Sequence, residues 1–174
     1  DTVSYSGSSA AVTVNLAYTS FQDTIGAGFD LITNTENLTG SDFDDTLYGS
    51  TGDNVIRGGA GDDYIFARSG NDTVEGGDGA DEMNGATGID TLTYASASAG
   101  VTVDLSMTTA QDTSGAGVDT ISNFENLTGS AFADTLAGDS GANILNGGDG
   151  IDTISYSGAS AAVTVNIGNT SAQD

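Results

Sequence analysis

The sequence predicts an all-β solenoid, a parallel β-helix with two nonapeptides in each 18-residue coil, and three observations point to it. A nine-residue period places one apolar residue in every unit. A much longer segment recurs at offsets that differ by whole nonapeptides. The composition suits no thick globular core, with 26 glycines and no proline, cysteine or tryptophan in 174 residues.

Written from Gly40, the short units are GSDFDDTLY, GSTGDNVIR, GGAGDDYIF, ARSGNDTVE, GGDGADEMN and GATGIDTLT, and a second block from Gly129 reads GSAFADTLA, GDSGANILN and GGDGIDTIS. The eighth position is always apolar: Leu47, Ile56, Ile65, Val74, Met83, Leu92, Leu136, Leu145 and Ile154. The sixth is Asp45, Asn54, Asp63, Asp72, Asp81, Asp90, Asp134, Asn143 and Asp152. Glycine holds the fourth position except in the unit that opens each block, which carries Phe43 or Phe132. Each unit therefore joins a flexible loop, an acid or amide, and one anchor for a core.

The long repeat is a cassette. The segment from Asp1 to Ser41 returns from Asp90 to Ser130, and its first half returns from Asp152. The offsets are 89 and 62 residues, and the difference of 27 is three nonapeptides. Whole units are gained or lost only when each is a structural quantum, which is the behaviour of a solenoid. The expected divisions are 1–39 (first cassette), 40–93 (six nonapeptides), 94–128 (second cassette), 129–155 (three nonapeptides) and 156–174 (a truncated third cassette), joined in one continuous solenoid.

Within a nonapeptide, glycines at the first, second and fourth positions permit positive φ and close backbone approach. The triplet around the eighth position is long enough for a short strand with one side chain facing inward. Three residues cannot hold a strand alone, so coils must stack. Units two apart then share a face, placing Leu47 on Ile65 on Met83 and Ile56 on Val74 on Leu92. The same rule puts Asp45, Asp63 and Asp81 in one loop row and Asn54, Asp72 and Asp90 in the other. Coils about 4.8 Å apart set carboxylates against each other at a cost of roughly 1 kcal/mol in water and several at an effective dielectric near 20.

A cation between loops reverses that sign. The formal charge is −23, with Arg57 and Arg68 the only basic residues. Such a chain is expected to avoid nucleic acid and not to insert in a membrane, since no apolar stretch approaches the roughly 18 to 20 residues a span needs. Several Ca²⁺ ions are the implied partners, because calcium accepts six to eight oxygens in flexible geometry whereas Mg²⁺ demands a strict octahedron.

GGAGDDYIF and GGDGADEMN resemble the GGxGxDxUx nonapeptide of the RTX (repeats-in-toxin), hemolysin-type calcium-binding family. The resemblance implies a right-handed parallel β-roll. Each calcium would lie between loops of adjacent coils, held by two sixth-position aspartates, by the first and third carbonyls of one loop and by the second and fourth of the next. Carried over, one site uses Asp63 and Asp81 with the carbonyls of Gly58, Ala60, Gly77 and Gly79. Another uses Asp45 and Asp63 with those of Gly40, Asp42, Gly59 and Gly61. On the opposite row Asp72 pairs with Asp90, whose loop adds Gly88. The second block pairs Asp134 with Asp152, with Gly129, Gly148 and Gly150. Ala67 and Arg68 replace a glycine pair, and Asn54 and Asn143 offer only a neutral oxygen, so those sites are expected to be weaker or empty. Asp30 and Asp119 in GAGFDLI and GAGVDTI are candidates for further sites, and Glu36 and Glu125 for caps on the rows.

With no histidine, cysteine or lysine, imidazole, thiolate and Schiff-base chemistries are absent, so the segment is expected not to be an enzyme. It begins in mid-pattern and is expected to be part of a longer secreted bacterial chain, extracellular or at the cell surface, with type I secretion implied by the resemblance. Two alternatives stand beside that of a calcium-folded module: a repeat of an adhesin, surface layer or fibre, with other copies of the cassette as partners, and an accessory module of a secreted hydrolase or epimerase. The sequence names no glycan or protein target.

Overall fold

The computed structural model describes residues 1–158. The stretch 159–174, with most of the third cassette, lies outside the described residues. Every regular element among the described residues is a strand.

The first cassette supplies β1 (Thr2–Ser4), β2 (Thr13–Asn15), β3 (Gln22–Asp23), β4 (Phe29–Asp30) and β5 (Asn37–Thr39). The six nonapeptides give β6 (Thr46–Tyr48), β7 (Val55–Ala60), β8 (Tyr64–Phe66), β9 (Thr73–Asp78), β10 (Glu82–Asn84) and β11 (Thr91–Thr93). The second cassette forms β12 (Thr102–Asp104), β13 (Gln111–Asp112), β14 (Val118–Ser122) and β15 (Asn126–Thr128), and the second block forms β16 (Thr135–Ala137), β17 (Ile144–Asn146) and β18 (Thr153–Ser155).

Successive nonapeptides alternate between two faces. On the first face, β1, β5, β7, β9, β11, β15 and β17 form one seven-stranded sheet. Its parallel register stacks Val3, Leu38, Ile56, Val74, Leu92, Leu127 and Leu145. On the second face, Val14, Leu47, Ile65, Met83 and Ile121 are stacked by β2, β6, β8, β10 and β14. A further set, β12, β16 and β18, stacks Val103, Leu136 and Ile154. The rows expected for Leu47, Ile65 and Met83 and for Ile56, Val74 and Leu92 are therefore present. These middle residues are the core, with Leu47, Ile56, Ile65, Val74, Met83 and Leu92 fully buried. Turn residues fill the rest of each unit, so the core is one anchor thick on each side.

The cassettes keep the first face regular and elaborate the second. After β12 pairs with β16, the chain reverses into β13, which is antiparallel to β14, and β14 pairs in parallel with β10. A glutamine joins the hairpin to β12: Asp104 N–H donates to Gln111 Oε1 at 2.8 Å, and Gln111 Nε2 donates to the Asp104 carbonyl at 3.1 Å. Its side-chain amide thus acts as a rung of backbone. In the first cassette Gln22 makes the same two bonds to Asn15, at 2.8 and 3.0 Å. A cassette is therefore one coil plus a hairpin on one face.

Candidate metal centre

The turns between strands position the acids. At the end of β7, Gly59 (φ 132°), and in the turn that follows, Gly61 (φ 107°), adopt conformations closed to most residues, and Gly77 (φ 119°) in β9 and Gly79 (φ 154°) after it repeat them one coil later. A Cβ on Gly77 would strike the Gly59 carbonyl oxygen, and one on Gly79 that of Gly61. The carbonyls of one loop thus point along the axis toward the next. At the first position, a Cβ on Gly58 would strike both Asp63 Oδ2 and the Gly76 carbonyl. Glycine leaves a cradle there, ringed by oxygen.

One carboxylate oxygen of each sixth-position residue belongs to a ladder. The backbone N–H of Asp45 donates to Asp63 Oδ1 at 2.8 Å, that of Asp63 to Asp81 Oδ1 at 2.9 Å and that of Asp81 to Asp119 Oδ1 at 3.1 Å. On the other row the N–H groups of Asn54, Asp72 and Asp90 reach Asp72 Oδ1, Asp90 Oδ1 and Glu125 Oε2 at 2.7, 2.8 and 2.8 Å. The second oxygens of Asp63, Asp72, Asp81 and Asp90 are buried and have no donor among the described residues. An unsatisfied buried anion is among the most costly groups a fold can contain.

Burial dominates their protonation. It pushes the Asp63 carboxyl up to about 8, helped by the charges of Asp81, Asp45 and Asp44. Asp81 rises to about 7 and Asp72 to about 6, again chiefly through burial, and Asp90 and Asp119 are raised for the same reason. Among the described residues no three acidic side chains converge on one point, so any ion must be shared between carboxylates and carbonyls. Hard oxygen donors of that kind, in loops without bulky side chains, suit calcium.

The structure brings Asp63 and Asp81 together with Gly58, Ala60, Gly77 and Gly79: Gly59 pairs with Gly77 and Ala60 with Asp78 in the extended ladder of β7 and β9. Asp72 and Asp90 are likewise adjacent, and a Cβ on Gly88 would strike the Gly70 carbonyl. Ala67 puts a methyl group where Gly58 leaves its cradle, and Arg68 holds φ 81° with its guanidinium carbon 5.8 Å above the Tyr48 ring.

Asp45 and Asp134 also stand on the ladder, with Asp134 N–H donating to Asp152 Oδ1 at 3.0 Å, and with Gly40 and Gly129 cradling their Oδ2 atoms. Their charge is met differently. Ser41 donates its N–H to Asp45 Oδ2 and its hydroxyl to Oδ1, the latter at 2.8 Å, and Ser130 does the same for Asp134 at 2.7 and 2.8 Å. Gly148 and Gly150 face the carbonyls of Ser130 and Phe132, and Gly61 that of Phe43, next to Asp42. Asn54 and Asn143 donate Nδ2 to the carbonyls of Glu36 and Glu125 at 2.8 and 3.0 Å.

A second ladder escaped the sequence reading. Asp44 Oδ1 accepts from Asp62 N–H at 2.9 Å and Asp62 Oδ1 from Ala80 N–H at 2.8 Å, while Asp53 and Asn71 serve Asn71 and Ile89 at 2.7 and 2.9 Å. The signal was there, since the fifth position reads Asp, Asp, Asp, Asn in four successive units before Ala80.

Among known families, a model described as the RTX calcium-binding nonapeptide repeat matches in four copies, over residues 39–74, 65–92 and 122–154, which together make half of the chain. No curated protein matches it.

Proposed function

The chain belongs to the RTX calcium-binding nonapeptide repeat family, and from that premise we propose that it is a calcium-dependent β-solenoid module of a secreted bacterial protein, folding on Ca²⁺ after export. The carrying observation is the set of four buried carboxylate oxygens, on Asp63, Asp72, Asp81 and Asp90, that have no donor among the described residues. Calcium supplies the charge they lack. Asp63 and Asp81 hold it from the two sides of one gap, Gly58, Ala60, Gly77 and Gly79 complete the shell with carbonyls, and Asp72 with Asp90 does the same on the opposite row.

Where calcium is micromolar or lower, repulsion in a chain of −23 favours the unfolded state, the form in which a chain can be exported. At the roughly millimolar levels outside, mass action on sites of modest affinity drives folding. The role is structural and not enzymatic. A fibre or surface-layer role is favoured by one observation: the first sheet runs from β1 to β17 through both cassettes, so added cassettes lengthen the solenoid without interrupting it.

Far-UV circular dichroism during calcium titration of EDTA-stripped protein tests the reading, with magnesium as the control. A cooperative, calcium-specific gain of β signal is expected. A chain fully folded in EDTA at about pH 9, where the buried carboxyls are ionised, would defeat it.

A further inference from the structure

We infer that the gap between the loop 85–90 and the short turn Asn123–Glu125 is a further divalent-cation site, built on Asp90 and Glu125. It rests on the calcium-module reading and extends it beyond the nonapeptide pattern, because one of its two walls is not a nonapeptide loop.

Six residues, 67–72, separate β8 from β9, but only Asn123, Phe124 and Glu125 separate β14 from β15. Asn123, at φ 56°, makes the tight turn, a conformation that asparagine tolerates better than most residues. Glutamate has one methylene more than aspartate, and with it Glu125 reaches the rung that a full loop would fill with aspartate. Its Oε2 accepts from Asp90 N–H at 2.8 Å, as Asp90 Oδ1 accepts from Asp72 N–H at 2.8 Å. Glu125 is thus a member of the row.

The second observation points to a ligand. Asp90 is 1% exposed, and its Oδ2 has no donor among the described residues. That atom is aimed into the gap, because a Cβ on Gly85 would strike both the Asn123 carbonyl oxygen and Asp90 Oδ2, the latter at 2.8 Å. A buried carboxylate oxygen, a carbonyl and the neighbouring glutamate therefore face one space. Neither arginine neutralises them: Arg57 pairs with Glu75 and Arg68 lies over Tyr48. On the far side Asn143 closes the row with an amide donated to the Glu125 carbonyl.

A hard divalent cation matches this donor set. The short turn lacks the several loop carbonyls of a nonapeptide, so water completes the shell and the site discriminates less between calcium and magnesium than the Asp63–Asp81 site does.

Native mass spectrometry of the full chain in calcium counts the ions, with circular dichroism on the same samples. Glu125→Gln retains an oxygen to accept from Asp90 N–H, and is expected to lose one ion with the β signal intact. Should Glu125→Gln lose its fold, a second comparison decides: Asp90→Asn is expected to lose two ions and Asp72→Asn one. A full count in folded Glu125→Gln, or equal losses at Asp90 and Asp72, overturns the site. If Glu125→Gln retains its ions while Asp63→Asn loses one, only this inference fails. A wild-type chain that binds no calcium removes the underlying reading as well.

Discussion

Asp63 and Asp119 occupy equivalent rungs of one ladder and have their charge balanced in opposite ways. Each gives one oxygen to the backbone N–H of the aspartate one coil back. The other oxygen of Asp63 has no donor, whereas that of Asp119 accepts from the Tyr94 hydroxyl at 3.0 Å and the Thr113 hydroxyl at 3.1 Å. The first cassette repeats the arrangement, with Tyr5 and Thr24 each 3.0 Å from Asp30 Oδ2. Stacking fixes one carboxylate oxygen of Asp63 and of Asp119, and what meets the second differs by region. The central nonapeptides leave it without a donor among the described residues on Asp63, Asp72, Asp81 and Asp90, while the cassettes fill the place with hydroxyls of the protein itself.

Protonation tests that contrast most forcefully. The carboxyls of Asp63, Asp81 and Asp72 lie at about 8, 7 and 6 in the fold, above the ordinary value near 3.9 of an unfolded chain. A carboxyl raised by folding favours the folded state when neutral, so its contribution is complete below pH about 4 and is lost as pH rises through 6 to 8. In EDTA the central nonapeptides are expected to hold β structure at pH 5 and to lose it by pH 9. In calcium the order reverses, since protons compete for the same oxygens and the calcium midpoint rises on acidification. Circular dichroism across pH, with and without calcium, reads both; an EDTA-treated chain most folded at high pH would break the comparison.

Glycine substitution gives the next largest effect. Gly77→Ala places a methyl group against the Gly59 carbonyl at φ 119°, on the wall of the gap proposed to hold calcium between Asp63 and Asp81. Gly28→Ala, in the first cassette at φ 98°, meets nothing within 4 Å. Positive φ alone costs about 1–3 kcal/mol, and Gly28→Ala is expected to stay in that range with its calcium midpoint unchanged. Gly77→Ala adds a backbone collision and is expected to raise the midpoint at least tenfold. Equal behaviour of the two variants in a calcium titration would show that the loops tolerate movement the structure denies them.

The period made most of this legible. One apolar residue in nine, always at the eighth position, fixed both core rows, and the recurrence of aspartate at the sixth located the candidate ligands. The cassette hairpin was not readable, because its key contact is a side-chain amide of Gln111 imitating a strand, and nothing in the alternation of Val101, Val103 and Leu105 announces a reversal of direction. The serines were equally silent. Ser41 and Ser130 look like tolerated glycine replacements in the sequence, yet each supplies two donors to the aspartate four residues on. Hydrogen bonds that cross 25 residues, such as Tyr94 to Asp119, leave no periodic trace.

That last bond carries the sharpest remaining test of the two regions. Burial and the charge of Asp119 drive the Tyr94 phenol well above its ordinary value, so it remains a donor across the accessible pH range. Tyr94→Phe and Thr113→Val each remove one donor from a carboxylate that is fully buried, and a hydrogen bond to a charged group is worth about 1.5–3 kcal/mol. Urea denaturation in calcium should show each variant destabilised by about that amount, with the number of bound ions unchanged for either alone. The double variant leaves Asp119 Oδ2 with no donor, the condition of Asp63, and is expected to bind one ion more than the wild type. If the count stays the same, the hydroxyls are ordinary packing and the cassette differs from the nonapeptides in shape alone; if it rises, cation and hydroxyl are interchangeable answers to one buried charge.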